Sequence, residues 1–201
     1  NKIYDFIAIG IGPFNLGLAC LTDPIEGVDG VFLDQNSGFD WHTGMMLESA
    51  HLQTPFMADL VTLADPTSRF SLLNYMKQTG KLYRFYIRED FFLMRKEYNQ
   101  YCQWASAQLD NLHWNTRVEF ISYDNQLQCY RVRSASTQTG ETQVWLTRKL
   151  VLGTGPSAWM PPCSRPHRQR LTHSSEYLAD KAALQQKNSI TVLGSGQSAA
   201  E

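Results

Sequence analysis

Three short segments have the residue types and spacing to hold dinucleotides. The first is Gly10-Ile11-Gly12-Pro13-Phe14-Asn15, which follows the apolar run Ile3 to Ile9 and leads into Leu16-Gly17-Leu18-Ala19-Cys20-Leu21. Gly10 permits a tight turn from strand to helix. Gly12 lacks a side chain, so backbone N–H groups can close on a pyrophosphate, and a helix starting near Phe14 aims its positive end at that anion. Asp34 ends the next apolar run, Val31-Phe32-Leu33. A carboxylate there accepts the ribose hydroxyls of an adenosine moiety. The third glycine of the usual fingerprint would fall at position 15, which is Asn15. The second segment, Val192-Leu193-Gly194-Ser195-Gly196-Gln197-Ser198, repeats the arrangement, with Ser198 able to cap a helix or contact a phosphate. The third, Val151-Leu152-Gly153-Thr154-Gly155, reads as a strand returning to the first nucleotide. Two dinucleotide turns in one chain imply two cofactors. A flavin and a nicotinamide are the natural pair, because hydride passes from one to the other.

These turns need elements to aim them. Strand, glycine turn, helix, strand and acid form a complete βαβ unit, which predicts an α/β fold with a parallel sheet. Residues 36–68 read as irregular, 69–80 as a short helix, and 89–109 as a long helix with Phe92, Tyr98, Tyr101, Cys102 and Ala105 near helical spacing. Strands are expected over 113–115, 117–123, 128–133, 142–146 and 149–152. A Pro-rich basic linker covers 159–170, a turn and helix 174–187, and a strand 189–193 runs into the second glycine turn. An apolar strand and a helix barely begun need further layers to cover them, so the 201 residues read as the N-terminal segment of a longer protein.

Composition narrows the function classes. Hydrophobic residues make up 43% and aromatics 12%, enough for a packed core. The net charge of -1 offers no basic footprint for nucleic acid. No apolar run reaches the roughly 18 residues of a membrane-spanning helix. Cys20, Cys102, Cys129 and Cys163 form no C-x-x-C pair and read as the reduced thiols of a cytoplasmic protein. The five histidines, His42, His51, His113, His167 and His173, have no metal-ligand spacing, so no metal is expected.

Four segments together resemble the flavin-dependent N-hydroxylating monooxygenases of siderophore biosynthesis. They are the first glycine turn, Phe39-Asp40-Trp41-His42-Thr43-Gly44-Met45, Leu52-Gln53-Thr54-Pro55-Phe56-Met57-Ala58-Asp59-Leu60-Val61, and Gly194 to Glu201. The W-H-x-G-M and F-x-x-D-L-V segments carry the specificity, and Asn15 is usual in that family. The resemblance implies a Rossmann-like FAD-binding domain, a parallel sheet with a β-meander, over 1–160. A linker and helix would occupy 161–188, and a second Rossmann-like, NADPH-binding domain would start at 189–201. It implies FAD held by Gly10, Gly12, Pro13, Asn15, Asp34, Trp41, His42, Gln53, the backbone of Val118, and Gly155. Gly194, Ser195, Gly196, Gln197 and Ser198 would begin the NADPH site. Gln53 would lie near the isoalloxazine and orient the substrate amine. A dimer or tetramer is also implied.

The amino-acid hydroxylases of this family usually have F-L-K-D-L where this chain has Phe56-Met57-Ala58-Asp59-Leu60. The lysine would pair with the α-carboxylate of ornithine or lysine. With Ala58 in its place, a carboxylate entering a partly buried pocket is penalised by roughly 2–5 kcal/mol. The expected substrate is therefore a decarboxylated diamine, cadaverine before putrescine, with O₂ as co-substrate. L-lysine or L-ornithine hydroxylation is the alternative, and a non-enzymatic FAD-binding module a further one. A disulfide reductase on the same plan would need a C-x-x-C, and none is present. A related flavin monooxygenase acting on carbonyls or sulfides would differ in its product.

Overall fold

The computed structural model describes residues 2–196 and Ala199. Two compact units result, Asn1–Trp41 with His51–Gly155, and His42–Ala50 with Pro156–Glu201.

The larger unit is an α/β sandwich. Strand β1 (Ile3–Ile9) enters the glycine turn, helix α1 (Pro13–Thr22) follows, and β2 (Gly30–Leu33) returns parallel to β1. Next come β3 (His51–Pro55), α2 (Leu72–Gln78), α3 (Leu82–Arg88), β4 (Phe92–Met94) and α4 (Arg95–Ser106). The strands β5 (Leu112–His113), β6 (Thr116–Asp124), β7 (Cys129–Ser136) and β8 (Thr142–Leu152) complete the unit. Six strands form one sheet in the order β5-β2-β1-β8-β7-β6, and β3 pairs with β4 separately. β5, β2, β1 and β8 are parallel, while β6, β7 and β8 make an antiparallel meander.

Alternation along β1 buries both of its faces, as a central parallel strand requires. Ala8 and Phe32 pack with Leu16, Ala19 and Cys20 of α1 and with Tyr101, Cys102 and Ala105 of α4. Ile7, Val31 and Leu33 face the other way and pack with Val132 and Trp145 of the meander. The buried stripe of α4 is Tyr98, Tyr101, Cys102 and Ala105, one face at helical spacing. α2 starts at Ser71, whose side chain accepts a hydrogen bond from Asn74 N. All four cysteines are free thiols, and burial pushes the Cys20 thiol up to about 12. No helix among the described residues is long and apolar enough to cross a membrane.

The expected helix over 89–109 is three elements. Glu89 ends α3 in the left-handed conformation at φ 52, Phe92–Met94 pairs with β3, and only Arg95–Ser106 is helical. The expected strands 142–146 and 149–152 are one. Arg148 does not break it, because its guanidinium projects outward to pair with Asp5 at 2.5 Å.

In the smaller unit, 3-10 turns cover Thr43–Met45, Pro162–Arg170 and Ser174–Glu176, and helix α5 spans Tyr177–Leu184. Residues 189–193, expected as a strand, have no regular structure, and Ile190, Val192 and Leu193 are exposed. A strand is held by ladder partners, and this unit contains no other strand among its described residues.

Candidate functional site: a dinucleotide cradle and a neighbouring turn

The site begins where β1, β2 and β8 end side by side. Gly10 N donates to Leu33 O, and Gly153 N donates to Ile9 O, both at 2.8 Å, so the glycine turn is bonded to both neighbours of its strand. Gly10 has φ +87, and a Cβ there would lie 2.5 Å from Gly153 O. No L side chain fits that conformation or that space. Gly12 differs. Its φ is -84 and ψ -178, which any residue adopts, and a Cβ there would meet nothing within 4 Å. The fold leaves Gly12 free to be something else. A ligand approaching from outside would find that side open.

The α1 N-terminus faces the same way. Pro13 takes the first helical position, where its missing N–H costs no hydrogen bond. Gly12 supplies no side-chain cap, and the first turn carries no acidic residue. The positive end of α1 is therefore uncompensated by its own sequence, and an anion placed over Gly12 would meet both N–H donors and dipole.

Asn15 is 4% exposed, and its amide donates to Gly10 O at 2.7 Å and Ile9 O at 3.4 Å. A Cβ on Gly153 would collide with this amide. The side chain standing in for the third glycine is thus a strut between α1 and the ends of β1 and β8. Replacing Asn15 by Ala leaves the part-buried Gly10 carbonyl without this donor, while Ile9 O keeps Gly153 N. It is expected to destabilise the flavin-free protein by about 1–3 kcal/mol, read as a lowered chemical-denaturation midpoint.

Asp34 ties the cradle to β2. Its Oδ2 accepts from Ile11 N at 2.7 Å and its Oδ1 from Asn36 N at 2.8 Å. Thr116 N donates to Asp34 O at 2.7 Å, which brings the start of β6, the strand of Val118, to the same corner. The Trp41 ring packs edge-on against Tyr98, and its backbone N–H donates to Asn99 Oδ1 at 3.0 Å. Gln53 and Ala58 are exposed, one on β3 and the other in the turn that follows it. In that turn Ala58 N donates to Pro55 O at 2.9 Å.

The structure therefore gathers Gly10, Gly12, Pro13, Asn15 and Asp34 at one corner and adds Gly153, which spacing had marked only as part of a returning segment. Gly155, at φ +67, closes that segment. His42, at φ 51, and the exposed residues Gly194 to Gly196 belong to the smaller unit. Gln197 and Ser198 lie outside the described residues. Asp59, which accepts from Val61 N and Thr62 N just after that turn, and Gly17, which lies bare against Leu60 O, have no role predicted from the sequence. The aspartate in F-x-x-D-L-V was the available signal.

A β1–glycine turn–α1 unit closed by an acid just after β2, with a meander continuing the sheet beyond β1, defines a Rossmann-type dinucleotide-binding domain. Residues 2–201 match the L-lysine 6-monooxygenase/L-ornithine 5-monooxygenase family, and the chain belongs to that family. A putrescine N-hydroxylase of Shewanella oneidensis is 54% identical over 201 residues, all of this chain and 40% of the relative. One from Acinetobacter baumannii is 49% identical over 201 residues, covering 100% of this chain and 45% of that protein. The FAD-bound cadaverine monooxygenase of desferrioxamine biosynthesis from Erwinia amylovora superposes with a TM-score of 0.98 at 78% identity, over 100% of this chain and 47% of its own. The chain thus spans less than half the length of these relatives.

Proposed function

We propose that the full-length protein is an FAD- and NADPH-dependent monooxygenase. It N-hydroxylates one primary amine of an aliphatic diamine, cadaverine before putrescine, for hydroxamate siderophore biosynthesis. The observation that carries the substrate is Ala58, which leaves the turn after β3 without the cation an amino-acid carboxylate would need. The names of the putrescine- and cadaverine-acting relatives support the same choice.

The residues present fit FAD. Gly12 leaves room for a pyrophosphate, α1 offers its uncapped N-terminus, and Asp34 has oxygen lone pairs beyond those used by Ile11 and Asn36 to accept from a ribose. When bound and reduced by NADPH, the flavin activates O₂ and supplies one oxygen atom to the amine, the other leaving as water. The chain's task is to position the amine and keep water out. An alkyl ammonium has a pKa of about 10.4, so the site must favour the neutral amine. Gln53 suits this role, because a neutral amide orients an amine without stabilising its protonated form as a carboxylate would. Trp41 and His42 would border the flavin, Val118 the adenine, and Gly194 to Ser198 the NADPH. Four unpaired cysteines support a reducing, cytoplasmic location, and the family resemblance supports a dimer or tetramer.

The test is NADPH oxidation coupled to hydroxylamine detection on the full-length flavoprotein, with cadaverine, putrescine, lysine and ornithine. Product is expected from the two diamines, with cadaverine ahead. Equal product from lysine and cadaverine would overturn the reading.

A further inference from the structure

The aspartate of the F-x-x-D-L-V segment remains without a role, and the structure gives it one. We propose that Asp59 is a positioning residue. It locks the turn bearing Ala58 to α2, and so fixes the distance from the amine's seat to the flavin cradle. This rests on the reading that the Gln53–Ala58 segment faces the substrate.

Asp59 accepts four hydrogen bonds. Its Oδ1 takes Val61 N at 2.9 Å and Thr62 N at 2.6 Å; its Oδ2 takes Thr62 Oγ1 at 2.5 Å and Leu72 N at 2.7 Å. The first three fold the chain back on itself just after Ala58. The fourth ties it to the first residue of α2. A carboxylate is suited to this, since it is acceptor-only and its bonds to N–H groups are charge-assisted.

The adjacent residue is gripped from two sides. Leu60 N donates to Tyr101 Oη at 3.3 Å, and that hydroxyl donates to Phe70 O at 2.6 Å. Tyr101 is fully buried, and burial pushes its phenol pKa up, so it stays a protonated donor. On the other side, a Cβ on Gly17 would sit 2.8 Å from Leu60 O. The bare face of α1 thus lets the Leu60 backbone rest on the helix whose N-terminus forms the cradle. Ala58 is two residues from that contact. Its placement relative to Gly12 runs through Asp59, Leu60 and Gly17, and a misplacement of about 1 Å at a reacting centre costs on the order of 100-fold.

The test uses full-length, FAD-loaded parent and Asp59→Asn enzymes. An asparagine can keep the Val61 and Thr62 amides on its oxygen but turns an NH₂ toward Leu72 N–H, which loses its acceptor. Expected is exchange of the Leu72 amide at least about tenfold faster. Flavin reduction by NADPH should stay within about twofold of the parent, while the KM for the amine rises at least about tenfold. Hydroxylamine formed per NADPH should fall, with hydrogen peroxide making up the difference. A purely structural role would lower the melting temperature and leave KM and yield per loaded enzyme unchanged, and that result overturns the proposal. So does unchanged exchange at Leu72. Should Asp59→Asn fail to load FAD, Tyr101→Phe, which removes only the grip on Leu60 and Phe70, is expected to raise KM in the same direction, and a parental KM there is equally fatal. If the parent accepts lysine as well as cadaverine, the diamine reading falls, while the Asp59 comparison proceeds on either amine. A parent that hydroxylates no amine removes both.

Discussion

Ala58→Lys in the full-length protein is expected to move its preference from diamines toward lysine and ornithine. A lysine in this turn would offer its ammonium to an α-carboxylate, and would meet the unreacted ammonium of a diamine with a like charge. The two effects act on opposite substrates, so the ratio of kcat/KM for lysine over cadaverine registers their sum. The sequence reading placed this position in a partly buried pocket. The structure has Ala58 exposed within this chain, which puts the expected change at the low end of the range for paired charges. A ratio raised by about 30-fold corresponds to about 2 kcal/mol. The control is Ala58→Gln, of similar reach and no charge, which should change the ratio little. A ratio that stays at the parental value in Ala58→Lys would show that the substrate carboxylate is read elsewhere, and Ala58 would lose its place in the specificity argument.

The parts of the molecule that were legible in the sequence are those fixed by local chemistry. β1 runs from Ile3 to Ile9 as its apolar run predicts, and α1 begins at Pro13 because the turn before it is spelled in glycines. The buried stripe of α4 was visible as helical spacing, but its start was not. Phe92 looked like an earlier turn of the same stripe, yet its backbone lies in β4, opposite Pro55. That pairing joins residues far apart in sequence, and neither His51–Pro55 nor Phe92–Met94 has an alternation strong enough to announce a strand alone. β8 was divided for a related reason. One strand serves two partners, antiparallel to β7 through Thr147 and parallel to β1 from Leu146 onward, so its burial pattern changes midway and Arg148 looks like an interruption. In the site, glycine spacing revealed the cradle but not why each glycine is there. Asn15 looked like a defect in a fingerprint, and only its contact with Gly153 makes it a strut. Asp59 was visible as part of a motif, whereas its use depends on the Leu72 amide, which the chain reaches only after a long excursion.

The contrast between Gly10 and Gly12 gives the second large effect, because it separates what the fold needs from what a ligand needs. Gly10→Ala is expected to damage the flavin-free protein itself. It forces an L residue to φ +87 and drives a methyl group against Gly153 O. Its apo melting temperature should fall and FAD binding should be lost with it. Gly12→Ala should leave the apo protein as stable as the parent, within about 0.5 kcal/mol, because the backbone there is ordinary and the added methyl meets no protein atom. That methyl would occupy the space over the first turn of α1, where the pyrophosphate oxygens must come to reach the N–H groups. Crowding of this kind costs about 1–3 kcal/mol, or roughly 5- to 150-fold in affinity. Flavin titration of the apo forms by fluorescence quenching, beside their thermal melts, distinguishes the two. A Gly12→Ala protein that melts with the parent and binds FAD as tightly would mean that the open face of the glycine turn is not where the cofactor's phosphates lie. The cradle would then have to be sought along Gly153 to Gly155 instead. A Gly12→Ala protein that folds normally and has lost its flavin would identify this position as a glycine kept for its ligand, a conclusion that no stability measurement on the apo protein could reach.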